Sequence, residues 1–218
     1  MKRSPISRLT GRRWRRLSSL FLLTSLSSIA ILSAPSQFDN ARAQQIATRS
    51  PVMGANWQGA SFPVENFQGY SSPFGYRRSA TGGYSSDSSE FHYGLDFAAP
   101  QGSYVRNWWG GKVVAVISDG RCGIGLVIQS GNWEHVYCHM QGRVETKGDR
   151  RYFIDRSGGL QIWEGQTVQS GERIGRVGMT GRTTGPHLHW GLKHDSQWID
   201  PALVLRAMYS EQQAMQGR

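Results

Sequence analysis

Thr184-Gly-Pro-His-Leu-His-Trp190 reads as a tight turn followed by a β-strand that carries two imidazoles on one face. Gly181, Gly185 and Pro186 supply the turn, and His187 and His189 stand two residues apart. Even spacing in an extended chain puts side chains on the same side of a sheet. Two imidazoles placed that way rarely serve core packing, so the strand is a candidate metal site. A second segment, Phe91-His-Tyr-Gly-Leu-Asp-Phe-Ala-Ala-Pro100, sets His92 and Asp96 four residues apart, with Gly94 free to bend the backbone between them. A third, Val136-Tyr-Cys-His-Met140, contributes His139. Two imidazoles and one carboxylate are the ligand set of a catalytic zinc site, which keeps a position open for water. The chain has no His-Glu-x-x-His helix, so the glutamate base of that zinc class is missing and a histidine must move the protons.

Around these segments the chain is built for sheet. Its 218 residues include 27 glycines, and Val, Ile, Trp and Tyr recur in short runs between turn signals. The runs predict strands at 92–97, 104–106, 111–119, 125–130, 134–139, 173–178 and 187–192. Asp200-Pro201 matches a helix N-cap followed by proline at the first helical position, so 202–213 is expected to be a short C-terminal helix. The polar stretch between Met140 and Trp163 reads as a surface excursion, and the Ser/Gly-rich stretch from Arg77 to Ser89 as a surface loop.

The first 43 residues read as a secretory signal peptide. Arg3, Arg8, Arg12, Arg13, Arg15 and Arg16 make a basic start, an apolar run diluted by serines follows, and Ala41-Arg-Ala43 has the small-x-small form of a cleavage site. The expected organisation is signal peptide 1–43, flexible leader 44–61, folded domain 62–210 and tail 211–218. Export would put the protein in the periplasm, the cell wall or outside the cell, with no stable membrane span after cleavage. The formal charge of +10 rests largely on the signal; past Ala43, 17 basic and 14 acidic residues leave about +3. That small surplus does not support nucleic-acid binding and remains compatible with an anionic polymer such as a cell wall. Cys122 and Cys138 flank a predicted hairpin turning near Gly131-Asn132. A disulfide across the hairpin and two buried thiols both fit, and the strand register decides between them.

Taken in order, these segments resemble the lysostaphin/LytM-type zinc metallopeptidases, a family of peptidoglycan endopeptidases. The resemblance runs from Pro73-Phe-Gly-Tyr-Arg77 through Gly111-Lys-Val-Val, Tyr137-Cys-His-Met140 and Glu164-Gly-Gln-Thr-Val168 to Gly178-Met-Thr-Gly-Arg-Thr-Thr-Gly-Pro-His-Leu-His-Trp190 and Ile199-Asp-Pro201. It implies a mainly β fold, a single compact antiparallel β-sheet domain with a short C-terminal helix. It implies that His92, Asp96 and His189 hold Zn2+, and that His139 and His187 are the catalytic, non-ligand histidines beside it. The implied activity is hydrolysis of amide bonds in peptidoglycan stems or cross-links, in a groove walled by 77–89, 142–159 and 182–185. The alternatives are a non-catalytic regulator of cell-wall amidases, which typically lacks the ligands, and a wall-binding module.

Other residues stay open at this point. His135 shares a strand face with His139 if the strand is regular, yet reads as a structural histidine, and His194 reads as a solvated turn residue. Trp108-Trp109 either packs in the core, the preferred reading, or forms a sugar-stacking shelf. Tyr84 lies where the family often has a transition-state-stabilising tyrosine. Some relatives are latent, with an upstream asparagine on the open zinc position, for which Asn56 and Asn66 are the residues available here.

Overall fold

A computed structural model of the chain describes residues 57–79 and 89–216. The signal peptide, most of the leader, Asn56 and Tyr84 lie outside the described residues. The strands begin with β1 (Gly69–Ser72), β2 (Gly75–Arg78), β3 (Ser89–His92), β4 (Leu95–Ala98) and β5 (Tyr104–Arg106). They continue with β6 (Gly111–Asp119), β7 (Gly123–Ser130), β8 (Trp133–Cys138), β9 (Arg143–Lys147) and β10 (Arg150–Asp155). Then come β11 (Leu160–Trp163), β12 (Thr167–Val168), β13 (Arg173–Arg176), β14 (His187–His194) and β15 (Gln197–Ile199), and an α-helix, α1 (Pro201–Gln216), ends the described chain. The fold is mainly β and antiparallel, as expected. Among the described residues no helix is long and apolar enough to cross a membrane.

The main sheet runs β1-β4-β14-β8-β7-β6-β12, with β15 paired to β14. Alternation divides its faces. On β14, Leu188, Trp190 and Leu192 are fully buried, and on β8 so is Tyr137, with Trp133 and His135 on the same side. The opposite faces carry His187 and His189 on β14 and Cys138 on β8. Register then decides the site: His189 pairs with Asp96 across β4 and with Cys138 across β8, so these three stand in one row over the sheet.

Five sequence expectations change. The run 92–97 is two strands, because the chain bends at Tyr93-Gly94; β3 pairs with β2 in a separate ribbon and β4 joins the main sheet. The stretch 142–159 is no loose excursion but part of the three-stranded sheet β11-β10-β9. Phe153 is completely buried there, and burying a side chain of that size stabilises by roughly 1.5–3 kcal/mol. Asp155 takes two bonds from Arg176, at 2.7 and 2.8 Å, and ties the small sheet to β13. The leader ends earlier than Ser61. Trp57 is buried with its ring 5.0 Å from Trp108, its N–H donates to Glu211, and Gln212 donates to its carbonyl. Glu211 and Gln212 therefore belong to α1 and not to a tail. His194 is not a solvated turn residue: it ends β14 with its ring 4.6 Å from Trp133.

Other expectations hold. Asp200 accepts from the Ala202 N–H at 2.9 Å and caps α1, and Trp108 is fully buried in the core with Trp109 packed against it. The β7–β8 hairpin forms, and of the two states left open for Cys122 and Cys138 the structure has the disulfide.

His135 lies in the core and away from the metal-site face. It points inward beside Trp108, its Nδ1 3.4 Å from the Tyr137 hydroxyl, and its Nε2 has no partner among the described residues. Burial holds its pKa at about 3, below the usual 6.5. Between those values the unfolded chain takes up a proton that the folded chain refuses, so stability is full above pH ~6.5 and falls as pH drops towards ~3. Relative to His135→Phe, the wild type should lose about 2 kcal/mol between pH 7 and pH 5, at ~1.4 kcal/mol per unit. Urea midpoints at the two pH values measure it, and parallel losses in both proteins would disprove the role.

Candidate metal centre

The site is assembled from β3, β4, β14 and the end of β8. His92 comes from the last residue of β3, and the bend at Tyr93-Gly94 brings Asp96 back beneath it. The bend needs a glycine for space: a Cβ on Gly94 would lie 2.5 Å from Cε1 and 2.7 Å from Nε2 of His189. Gly94→Ala is therefore expected to push the His189 ring aside and to weaken zinc affinity at least ~10-fold, the lower end for a disturbed ligand support. Competition against a zinc-binding dye measures it, and unchanged affinity would rule the crowding out.

The donor atoms converge. His92 Nε2 is 3.0 Å from Asp96 Oδ1 and 2.9 Å from His189 Nδ1, and His189 Nδ1 is 2.9 Å from the same Asp96 oxygen. His92 Nδ1 stands 2.7 Å from the Pro73 carbonyl, which can only accept, so Nδ1–H donates there and Nε2 is the ring atom turned to the centre. Asp96 is ionised: burial alone would raise its pKa, but the His189 and His92 imidazoles outweigh it and hold the carboxyl well below the usual range. Arg77 adds a guanidinium 3.1 Å from Oδ2. Donor atoms this close repel one another unless a proton or a metal ion lies among them. Two nitrogens and one oxygen form a donor set that suits zinc, so the residues present fit such an ion.

His139 and His187 flank this triangle. His139 follows β8 at φ 62°, a left-handed conformation that costs a non-glycine residue about 1 kcal/mol. That conformation breaks the strand alternation, which explains why His135 and His139 face different ways despite their spacing of four. His139 Nδ1–H donates to the Thr180 carbonyl at 2.8 Å, and His187 Nδ1–H donates to the Gly185 carbonyl at 2.9 Å. Both rings are thereby fixed in orientation, and their centroids are 4.7 Å apart. His187 Nε2 is 3.7 Å from Asp96 Oδ1. Burial pushes the His139 pKa down to about 4, helped by neighbouring His187 and His189 and opposed by Thr180 and Asp96, so the ring is neutral near pH 7.

A cleft of ≈ 300 Å³ opens over His92, His139 and His189. Its lining includes Arg77, Glu90 and Arg182, linked because Glu90 accepts from both arginines, and the aromatic rings of Phe91, Tyr93 and Trp198. The expected wall at 142–159 contributes nothing to the lining, because β9 and β10 belong to the separate small sheet. Sequence reading missed Arg77 as a site residue by assigning it to a loop, although the Pro73–Arg77 segment was the available signal. Asn66, read as a possible zinc occupant, instead donates to the Ser103 hydroxyl at 3.3 Å.

A profile of peptidase family M23 matches residues 90–201, which include His92, Asp96, His139, His187 and His189. The chain belongs to peptidase family M23. It is 33% identical over 135 residues to the DD-carboxypeptidase/endopeptidase Mpg of Neisseria meningitidis serogroup B, covering 62% of this chain and 26% of that protein. It is 36% identical over 102 residues to the peptidoglycan DD-endopeptidase ShyA of Vibrio cholerae, covering 46% of this chain and 20% of that one. The chain thus spans about a quarter or less of the length of these curated relatives. A solved structure from Pseudomonas aeruginosa, described as a peptidase M23, superposes with a TM-score of 0.50 at 27% identity, covering 78% of this chain and 60% of that one.

Proposed function

We propose that this M23 domain is an exported zinc endopeptidase that hydrolyses amide bonds in the peptide stems or cross-links of peptidoglycan. The observation that carries the reading is the convergence of His92, Asp96 and His189 on one centre, with two histidines oriented by main-chain carbonyls beside it. Zinc, when bound there, supplies Lewis acidity for the scissile carbonyl and lowers the pKa of a water. The chain's own residues do the rest. Pro73 and Arg77 orient His92 and Asp96 from behind, a support that usually matters to metal affinity. His139, neutral near pH 7, is placed to accept a proton, and His187 is placed to share the transfer to the leaving amine. The cleft leaves one side of the centre open to an extended peptide.

Mpg and ShyA are named as endopeptidases, which supports the substrate class. The intact set of five site residues favours an enzyme over a regulator or a binding module. Purified peptidoglycan of known cross-link chemistry, digested with zinc-loaded protein, should release peptide fragments, and chelated protein should release none. Zinc-loaded, folded protein that releases no fragment from any cross-link type would overturn the reading.

A further inference from the structure

We propose that the Cys122–Cys138 disulfide is a positioning element for His139, holding the geometry of the proton carrier and not only the stability of the hairpin. The inference rests on the zinc-peptidase reading for its catalytic consequence, but its structural part stands alone.

The disulfide closes a short circuit of bonds around one imidazole. Cys138 directly precedes His139 in the chain, and the Cys122 carbonyl accepts the His139 N–H at 2.8 Å. Cys122 therefore holds the residue at φ 62° from two directions, through sulfur and through its carbonyl. The same turn also positions the group that aims the ring. The Arg182 N–H donates to the Arg121 carbonyl at 3.0 Å, and the Thr180 hydroxyl accepts from the Ile124 N–H and donates to the Met140 carbonyl, both at 2.9 Å. Gly123 and Gly181, both at positive φ, lie backbone against backbone; a Cβ on either would come within 2.3 Å of the other segment. Asp119 accepts the N–H groups of Arg121 and Cys122, at 2.7 Å each, and closes the turn on its outer side.

Thr180, whose carbonyl orients the His139 ring, is thus anchored to the turn that carries Cys122. Without the sulfur bond, the 119–123 turn is joined to His139 by one backbone hydrogen bond, while the Gly178 N–H still donates to the His139 carbonyl and the Met140 N–H to that of Ile124, both at 2.9 Å. Those bonds hold the carbonyl side of the left-handed residue, and the lost link loosens its Cys138 side, from which the ring takes its aim at the cleft. The metal ligands have supports of their own: Pro73 orients His92, Asp96 pairs with His189 across β4 and β14, and the pairing of His189 with Cys138 across β8 is a main-chain register that does not need the sulfur bond.

The test uses zinc-loaded wild type and Cys122→Ser/Cys138→Ser, with the hydrogen-bonded imidazole protons followed by NMR on 15N-histidine-labelled protein. The variant should keep one zinc per chain and the Nδ1–H resonance of His92, but lose or broaden that of His139. With peptidoglycan as substrate its kcat should fall at least tenfold, with KM within twofold. If the serine variant does not fold, a phosphine reductant applied to the folded wild type gives the same comparison. A retained His139 resonance, or a lost resonance with unchanged kcat, overturns the proposal. A wild type that cleaves nothing but shows the predicted resonances would instead overturn the functional reading and leave the positioning intact.

Discussion

Asp96→Asn is expected to yield a folded protein that no longer retains zinc on dialysis and has less than about 1% of wild-type activity. The substitution keeps the shape of the side chain and removes the charge on which the site turns. Asp96 Oδ1 is the only anionic donor in the triangle, within 3.0 Å of His92 Nε2 and 2.9 Å of His189 Nδ1. Its other oxygen faces the Arg77 guanidinium at 3.1 Å. An amide must present its oxygen to Arg77 and its NH2 to the ligand nitrogens, or its oxygen to the metal and its NH2 to a cation. Either choice leaves one unfavourable contact, so affinity should fall by at least ~100-fold, more than the ~10–100-fold typical of altering a supporting residue. Zinc content after dialysis, with circular dichroism to show folding, checks the result. Full zinc occupancy in Asp96→Asn would remove Asp96 from the ligand set.

The second large effect separates holding zinc from moving protons. His187→Ala should bind one zinc per chain and lose activity by about 10²–10⁴-fold, the usual contribution of a positioned acid or base. His139→Ala should behave in the same way, because each ring donates its Nδ1–H to a main-chain carbonyl, Gly185 or Thr180, and none of those bonds supports a ligand. The deficit should appear in kcat, since the lost interaction belongs to the transition state. Steady-state kinetics on soluble muropeptides, with zinc analysis alongside, separates the cases. Full activity in His187→Ala would refute the assignment of roles, and loss of zinc would make His187 a ligand.

Much of this site was legible in the sequence because its chemistry is carried by short segments. His-x-His in β14 remains on one face because that strand is regular, and the glycines around it mark where the chain must turn. The His92–Asp96 pair also meets, but not as a single strand would have it. The bend at Gly94 changes sheets, and the reason is the His189 ring packed against the place a Cβ would fill. The structural reading of His135 holds although parity along β8 would set it beside His139, because one residue at positive φ turns His139 to the other side.

What the sequence hid was mostly through-space or main-chain. The carbonyls of Pro73, Thr180 and Gly185 orient three imidazoles, and main-chain acceptors leave no mark on residue identity. Arg77 reaches Asp96 only because β2 pairs with β3. The small sheet β9–β11 was obscured by its charged residues, with Phe153 and Ile162 the sparse apolar positions inside it. Trp57, in a polar stretch with no periodicity, is read correctly only once Trp108, Trp133 and α1 surround it.

Metal analysis joined to zinc X-ray absorption on the purified, undialysed chain is the most direct measurement of the site. One zinc per chain is expected, bound only by nitrogen and oxygen at about 2.0–2.2 Å, with the outer-shell scattering of two imidazoles. Substantially less than one zinc, sulfur in the coordination shell, or scattering from three or more imidazoles would contradict the His92, Asp96 and His189 centre.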